Sequence, residues 1–232
     1  MTGIIGAMEV EIKHILAKMQ DVTEKSIGGI IFHLGLLEDR PVVVARCGVG
    51  KVHAAHAASV MTTHFDVSQV VNVGVAGGIA PEVEIGDVVI ATGLVQHDVD
   101  VGDFGYPRGQ VPGTPELFWG ACQNLTSLTK EIADKVLENT GNKCHIGKMA
   151  TGDQFIHDPA TKEGIWSNFE VLCVEMEGAA MAHVCTIVNV PFMAIRAISD
   201  KADGTAHEDF PAFVEATALV SSQILVELIK KT

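Results

Sequence analysis

Glu175 and Glu177 stand two residues apart, where the apolar run 171–174 gives way to the Ala-rich stretch 178–183. A buried carboxylate without a partner is costly, so acids at the end of a core strand must meet cations or hydroxyls. Arg196 supplies one such cation. It lies inside the apolar strand predicted over 191–198, where a guanidinium in turn needs a carboxylate. Ser199 and Asp200 follow at the end of that strand, and Glu11 falls in the first turn of a helix near the N-terminus. Ser199 has no GxSxG elbow around it, so no nucleophile triad is indicated. Acids grouped with one arginine point instead to acid–base chemistry on a neutral, hydroxyl-bearing substrate. Glu11 and the Glu175/Glu177 pair also have a plainer role, as first-turn residues favoured by the helix dipole.

The elements that must position these groups read as follows. Residues 3–7 form a short buried strand, and 9–19 a helix with apolar residues at Val10, Ile12, Ile15, Leu16 and Met19. Residues 30–36 and 41–45 form a hairpin pair about Glu38-Asp39-Arg40, with Pro41 at a strand start or edge. Strands follow over 67–73, 85–91, 143–151 and 191–198, with helices over 126–140, from the Glu pair to about 188, and 210–231. Glycine-rich stretches close several of them, at 48–50, 74–78 and 152–156. This pattern is an α/β chain, a mixed sheet layered with helices, in which converging strand ends build the site. The turn Gly48-Val49-Gly50-Lys51 imitates a dinucleotide or phosphate loop and fails both tests. His53 stands where the third glycine belongs, and Val52 follows the lysine.

Composition narrows the function classes. The 232 residues carry a formal charge of −13 with scattered Lys and Arg, which speaks against nucleic acid or an anionic membrane as a partner. No run approaches the roughly 20 apolar residues of a membrane span. The start of the chain lacks signal-peptide features. The five cysteines are widely spaced with no CxxC, and read as reduced core residues of a cytoplasmic protein. His53 and His56 are at i,i+3 spacing without a third ligand nearby, so helix packing or solvent is their expected role. The Gly/Pro-rich segment 96–113 breaks the pattern but carries Val101, Phe104 and Tyr106. His97, Asp98 and Asp100 are metal-ligand types, too few in oxygen for a hard cation. The segment is expected to pack on a partner subunit or to cover a site.

The stretches Gly3–Glu11, Gly48–Lys51, Phe104–Tyr106 with Gly109–Gly113, Gly152–Ile156, Val174–Glu177 and Arg196–Asp200 resemble, in order and over essentially the whole chain, the bacterial 5′-methylthioadenosine/S-adenosylhomocysteine nucleosidases. The resemblance implies a nucleoside phosphorylase-like three-layer α/β/α sandwich with a central mixed sheet, one domain over 1–232, and a homodimer. It implies hydrolysis of the N-glycosidic bond of adenine thio-nucleosides without a cofactor or metal. Carried over, Asp200 is the acid that protonates adenine N7, oriented by Ser199. Phe155 stacks on adenine and the Ile156 backbone reads its edge. Glu177 holds the ribose hydroxyls, supported by Arg196 and Met176 with Glu175 nearby, and Glu11 activates the water. Met8, Val49 and Phe210 line the 5′-alkylthio pocket, which Val101, Phe104 and Pro112 of the partner subunit close. Many family members carry Ser where this chain has Val75, so water positioning rests more on Glu11, Arg196 and the backbone.

Four alternatives are distinguishable. A phosphorylase of the same superfamily places arginines around phosphate, including one where Asn72 stands and one in the first loop; here only Arg40 is a candidate. A nucleosidase for another adenine nucleoside, such as aminodeoxyfutalosine or a deoxyadenosine, suits the same apolar pocket. A silent nucleoside-binding protein keeps binding without turnover. A metal hydrolase built on His97, Asp98 and Asp100 requires sensitivity to chelators.

Overall fold

The computed structural model describes residues 1–232. The strands are β1 (Thr2–Gly6), β2 (Gln20–Ile27), β3 (Ile30–Leu37), β4 (Arg40–Arg46), β5 (Gln69–Gly78), β6 (Val88–Gln96), β7 (Trp119–Gly120), β8 (Cys144–Thr151), β9 (Cys173–Glu175) and β10 (Phe192–Asp200). The helices are α1 (Glu9–Leu16), α2 (Lys51–His64), α3 (Gln123–Val136), α4 (Pro159–Phe169), α5 (Gly178–Ile187) and α6 (Ala206–Ile229).

All ten strands join one mixed sheet. β1 pairs in parallel with β4 and β5, and β10 in parallel with β5, while β2, β3 and β4 form an antiparallel edge. The pairings β5–β10, β10–β6, β6–β8, β8–β9 and β9–β5 return to their start, so half of the sheet closes on itself. Strand residues alternate between two cores, as the pleat demands. Ile4, Val42, Val44, Val71 and Ile195 face α1, α3 and α6, whereas Ile5, Val43, Ala45, Val70 and Ala194 face α2 and α5. Helices on both faces of a mixed sheet make the expected α/β/α sandwich. The small residues of α2 and α5, Ala54, Ala57, Ala58, Ala179 and Ala182, are all fully buried and let these helices lie close.

Several bounds differ from the sequence reading for physical reasons. β5 runs on through Gly74–Gly78, because Gly77 and Gly78 pair with Val174 and Cys173. β2 escaped the periodicity because it is an edge strand exposed along almost its whole length, with no buried face to alternate. α4 buries only Ile165 and Phe169, too few for a stripe. Its start was nevertheless marked. The Asp158 side chain accepts from the Thr161 N–H at 2.8 Å, and Pro159 occupies the first helical position. All five thiols are unpaired, with Cys47, Cys173 and Cys185 buried.

Candidate active site

The ends of β1, β5, β8, β9 and β10 converge on a cavity of about 210 Å³. Its lining includes Met8, Glu11, Val49, Val75, Phe155, Ile156, Glu175, Met176, Glu177, Ser199, Asp200 and Phe210. Every residue named for this chain's own pocket is therefore present except Arg196, which lies directly beneath. No lysine, arginine or histidine lines the cavity.

Glu11 sits at the third position of α1 and folds back onto the turn before it. Its Oε2 accepts from the N–H groups of Ala7 at 2.7 Å and Met8 at 2.9 Å, and its Oε1 from that of Val75 at 3.1 Å. Burial pushes its carboxyl pKa up, against the opposing pull of Arg196 and these three donors. Space for the carboxylate comes from Gly74, where a Cβ would fall 2.4 Å from Glu11 Oε1.

Glu175, in the cavity lining, forms a buried ion pair with Arg196 beneath it, Nη2 to Oε2 at 2.6 Å. The same Oε2 accepts from the N–H groups of Glu177 at 3.0 Å and Gly178 at 2.7 Å, which open α5, and Oε1 accepts from Thr151 Oγ1. Arg196 also donates to Asn72 Oδ1 and, through Nη1, to its own chain at Ile195 O, 3.1 Å. Burial alone would lower the guanidinium pKa, but Glu175, Glu11 and Glu177 hold it above its ordinary value. Glu175 thus spends its charge on structure. Glu177 does not. It receives one donor, the Gly50 N–H at 2.8 Å, and burial followed by repulsion from Glu175 raises its carboxyl to about 8.

Asp200 arrives at the cavity through a β-bulge. Ile198 pairs with Ala76 and Asp200 with Gly77, leaving Ser199 as the extra residue. Bulges re-aim side chains next to active sites. Here Ser199 Oγ donates to Asp200 Oδ2 at 2.9 Å, and the Ala202 N–H to Oδ1 at 2.9 Å. Burial raises the Asp200 carboxyl above its usual range, with those two donors opposing. Gly77 is required there, since a Cβ would lie 2.8 Å from Asp200 Oδ1.

Phe155 forms one wall at the mouth, edge-on to Phe210 with ring centroids 5.8 Å apart, and His157 and His207 continue this rim outward. The three residues expected from the partner lie elsewhere. Val101, Phe104 and Pro112 are outside the cavity of their own chain, and Phe104 is 81% exposed. Both oxygens of Asp98 are engaged, Oδ1 accepting from Lys51 Nζ at 2.6 Å and Oδ2 from the Asp153 N–H at 3.0 Å. His53 and His56 bond to the carbonyls of Val49 and Gly28. Arg40 is exposed at the start of β4, away from the cavity.

The sequence profile of the phosphorylase superfamily matches residues 2–230. A 5′-methylthioadenosine/S-adenosylhomocysteine nucleosidase of Marinomonas is 39% identical over 229 residues, 98% of this chain and 97% of the relative. The nucleosidase of Neisseria meningitidis, solved with methylthio-immucillin-A, superposes with a TM-score of 0.94 at 37% identity, covering 100% of this chain and 99% of that one. The chain belongs to this nucleosidase family of the phosphorylase superfamily. An aminodeoxyfutalosine nucleosidase of Helicobacter pylori is also similar, 38% identical over 98% of this chain and 96% of its own length.

Sequence reasoning for a member of this family missed two supporting residues, Thr151 and Asn72. Each has a polar side chain inside an apolar strand, the same signal that exposed Arg196. It also left Lys51, Asp98 and Asp153 without a joint role.

Proposed function

We propose that this chain hydrolyses the N-glycosidic bond of 5′-methylthioadenosine and S-adenosylhomocysteine, and of 5′-deoxyadenosine, releasing adenine and the free 5-substituted ribose. The observation that carries hydrolysis over phosphorolysis is the cavity itself. Glu11, Glu175, Glu177 and Asp200 line it and no lysine, arginine or histidine does, so a phosphate dianion finds carboxyl groups and no cationic side chain to hold it. Water is the acceptor that such a lining admits.

Cleaving a C–N glycosidic bond builds positive charge on the sugar and negative charge on the departing base. A raised Asp200 carboxyl keeps its proton near neutral pH and gives it to adenine N7, with Ser199 holding the other geometry in place. Phe155 stacks on the base and the Ile156 backbone reads its edge. Glu177, with one oxygen fixed by Gly50, binds the ribose hydroxyls beside Met176, and the positive charge that grows on the sugar favours its ionised form, which then stabilises the cationic sugar. Glu11, fixed by three backbone N–H groups, orients the attacking water. Arg196 neutralises Glu175 and keeps Glu11 and Glu177 from repelling one another unopposed. Met8, Val49 and Phe210 receive the 5′ alkylthio group, and Val75 closes the floor with a methyl surface.

In this reading the protein is a cytoplasmic homodimer of methionine salvage, working without a cofactor or metal. Val101, Phe104 and Pro112 of each subunit complete the partner's 5′ pocket, which accounts for an 81% exposed phenylalanine in segment 96–113. The similarity to an aminodeoxyfutalosine nucleosidase supports a second substrate reading, with the same chemistry and a different 5′ substituent. Adenine release should be compared for methylthioadenosine, S-adenosylhomocysteine and aminodeoxyfutalosine. The expected result is higher kcat/KM for the two thio-nucleosides. A dominant rate on aminodeoxyfutalosine would replace the substrate and keep the reaction.

A further inference from the structure

One charged cluster at the edge of the cavity has no part in the chemistry above. Lys51, the first residue of α2, donates its N–H to Asp153 Oδ1 at 2.8 Å and its ammonium to Asp98 Oδ1 at 2.6 Å. The Asp153 N–H closes the ring by donating to Asp98 Oδ2 at 3.0 Å. Three residues from three distant parts of the sequence thus make a closed cycle of three hydrogen bonds, each accepted by a carboxylate of Asp98 or Asp153. The Lys51 and Asp98 side chains are about four-fifths buried, where such a pair is worth more than a surface ion pair.

Each corner of the cycle is joined to a wall of the site. The residue before Lys51 is Gly50, whose N–H holds Glu177 Oε1 at 2.8 Å. Gly50 has φ +98°, and a Cβ there would lie 3.0 Å from Asp153 Oδ1. Two residues after Asp153 comes Phe155, the exposed aromatic wall. Asp98 opens the segment that carries Phe104, and its neighbour His97 bonds back through its N–H to Thr151 O at 3.0 Å.

We infer that Lys51, Asp98 and Asp153 form a strap of positioning residues that fixes the base-stacking wall at Phe155 and the Gly50 donor to Glu177 in mutual register. The inference rests on the nucleosidase reading of the cavity. None of the three residues touches it, so the strap acts through Phe155 and Gly50. Its loss widens the distance between the base and ribose subsites, and the effect falls on binding more than on the proton transfer at Asp200, which belongs to a different strand end.

The test uses the full-length protein and the variants Asp98→Ala, Lys51→Met and the double variant. Thermal midpoints, kcat and KM for adenine release from methylthioadenosine, and adenine affinity by titration calorimetry are measured for each. The exposed pair Lys130–Asp134 on α3 serves as control through Lys130→Met. The expected result is a KM raised about tenfold with kcat within threefold, adenine binding weakened about tenfold, and a double variant no worse than the more severe single one, because one cycle is broken in each case. An unchanged KM and adenine affinity in folded Asp98→Ala protein, or additive losses in the double variant, would overturn the strap. Wild-type protein that binds adenine but releases none from methylthioadenosine would sink the nucleosidase reading alone, with adenine affinity still deciding the strap. Wild-type protein that does neither would overturn both.

Discussion

The floor and the rim of the cavity are built on opposite principles. In the floor, Glu11, Glu175 and Arg196 are almost wholly buried, and the two carboxylates have both oxygens engaged. At the rim, Phe155 is 40% exposed, and Phe104, on the segment beyond, is 81% exposed. Only Arg196 Nε in this network lacks a partner, and a buried network so nearly satisfied is rigid and keeps the reacting groups in place before substrate arrives. An open apolar rim still has surface to bury against substrate or a second subunit. Chemistry is assigned to the floor and substrate selection to the rim, and variants in the two regions should fail differently.

The largest effect is expected at the junction of the two. Asp200→Asn keeps the shape and removes the transferable proton, so kcat should fall about 10²- to 10⁴-fold with little change in thermal midpoint. Retention of more than a tenth of wild-type kcat would remove Asp200 from its role.

Within the floor, Glu175→Gln strips Arg196 of its ion-pair partner. Leaving a buried charge unpaired costs about 3–5 kcal/mol, so denaturant unfolding should show that loss. Glu177→Gln, two residues away, should cost far less stability, because Glu177 is the acid the fold holds at a disadvantage.

That disadvantage has a pH signature. The Glu177 carboxyl rises from an ordinary value of 4.5 to about 8 in the folded protein. Between these values the folded chain holds a proton that the unfolded chain has lost, so stability falls as pH rises through this window. The raised Glu11 and Asp200 carboxyls act in the same sense. The thermal midpoint of ligand-free protein should therefore climb as pH drops from 8 towards 5, and Glu177→Gln should flatten the slope. A midpoint that rises towards pH 8 in wild-type protein would contradict this.

Rim variants should show smaller effects, confined to binding. Phe104→Ala should raise KM for methylthioadenosine by about tenfold, the value of one aromatic anchor near 1.4 kcal/mol, with kcat nearly unchanged. The smallest effect is expected from Val75→Ser. Glu11 is fixed by backbone N–H groups, including that of Val75 itself, so an added hydroxyl should change kcat by less than threefold.

The floor was more legible in the sequence than the rim. Acids at strand ends and an arginine inside an apolar strand announce themselves because burial forces them to pair, and Glu175 and Arg196 do pair. Gly74 and Gly77 were visible as glycines, but their purpose was not. They make room for Glu11 and Asp200, a steric fact that depends on neighbouring strands. The Ser199 bulge was equally hidden, since register belongs to strand pairing and not to one strand's sequence. Edge strand β2 and helix α4 lacked an apolar stripe, and only the Asp158-Pro159 cap signalled the latter. Asp98 and Asp153 are polar loop residues and Lys51 opens a helix, places where a solvated side chain is the ordinary expectation, and only the folded chain brings them into one cycle.

The central claim is that water, not phosphate, takes the sugar. The most direct measurement is the reaction of methylthioadenosine in water enriched in heavy oxygen, with and without phosphate, followed by mass analysis of the sugar product. Free methylthioribose carrying the heavy oxygen at C1, formed at the same rate in both buffers, is the predicted result. A sugar 1-phosphate formed only when phosphate is present would contradict it.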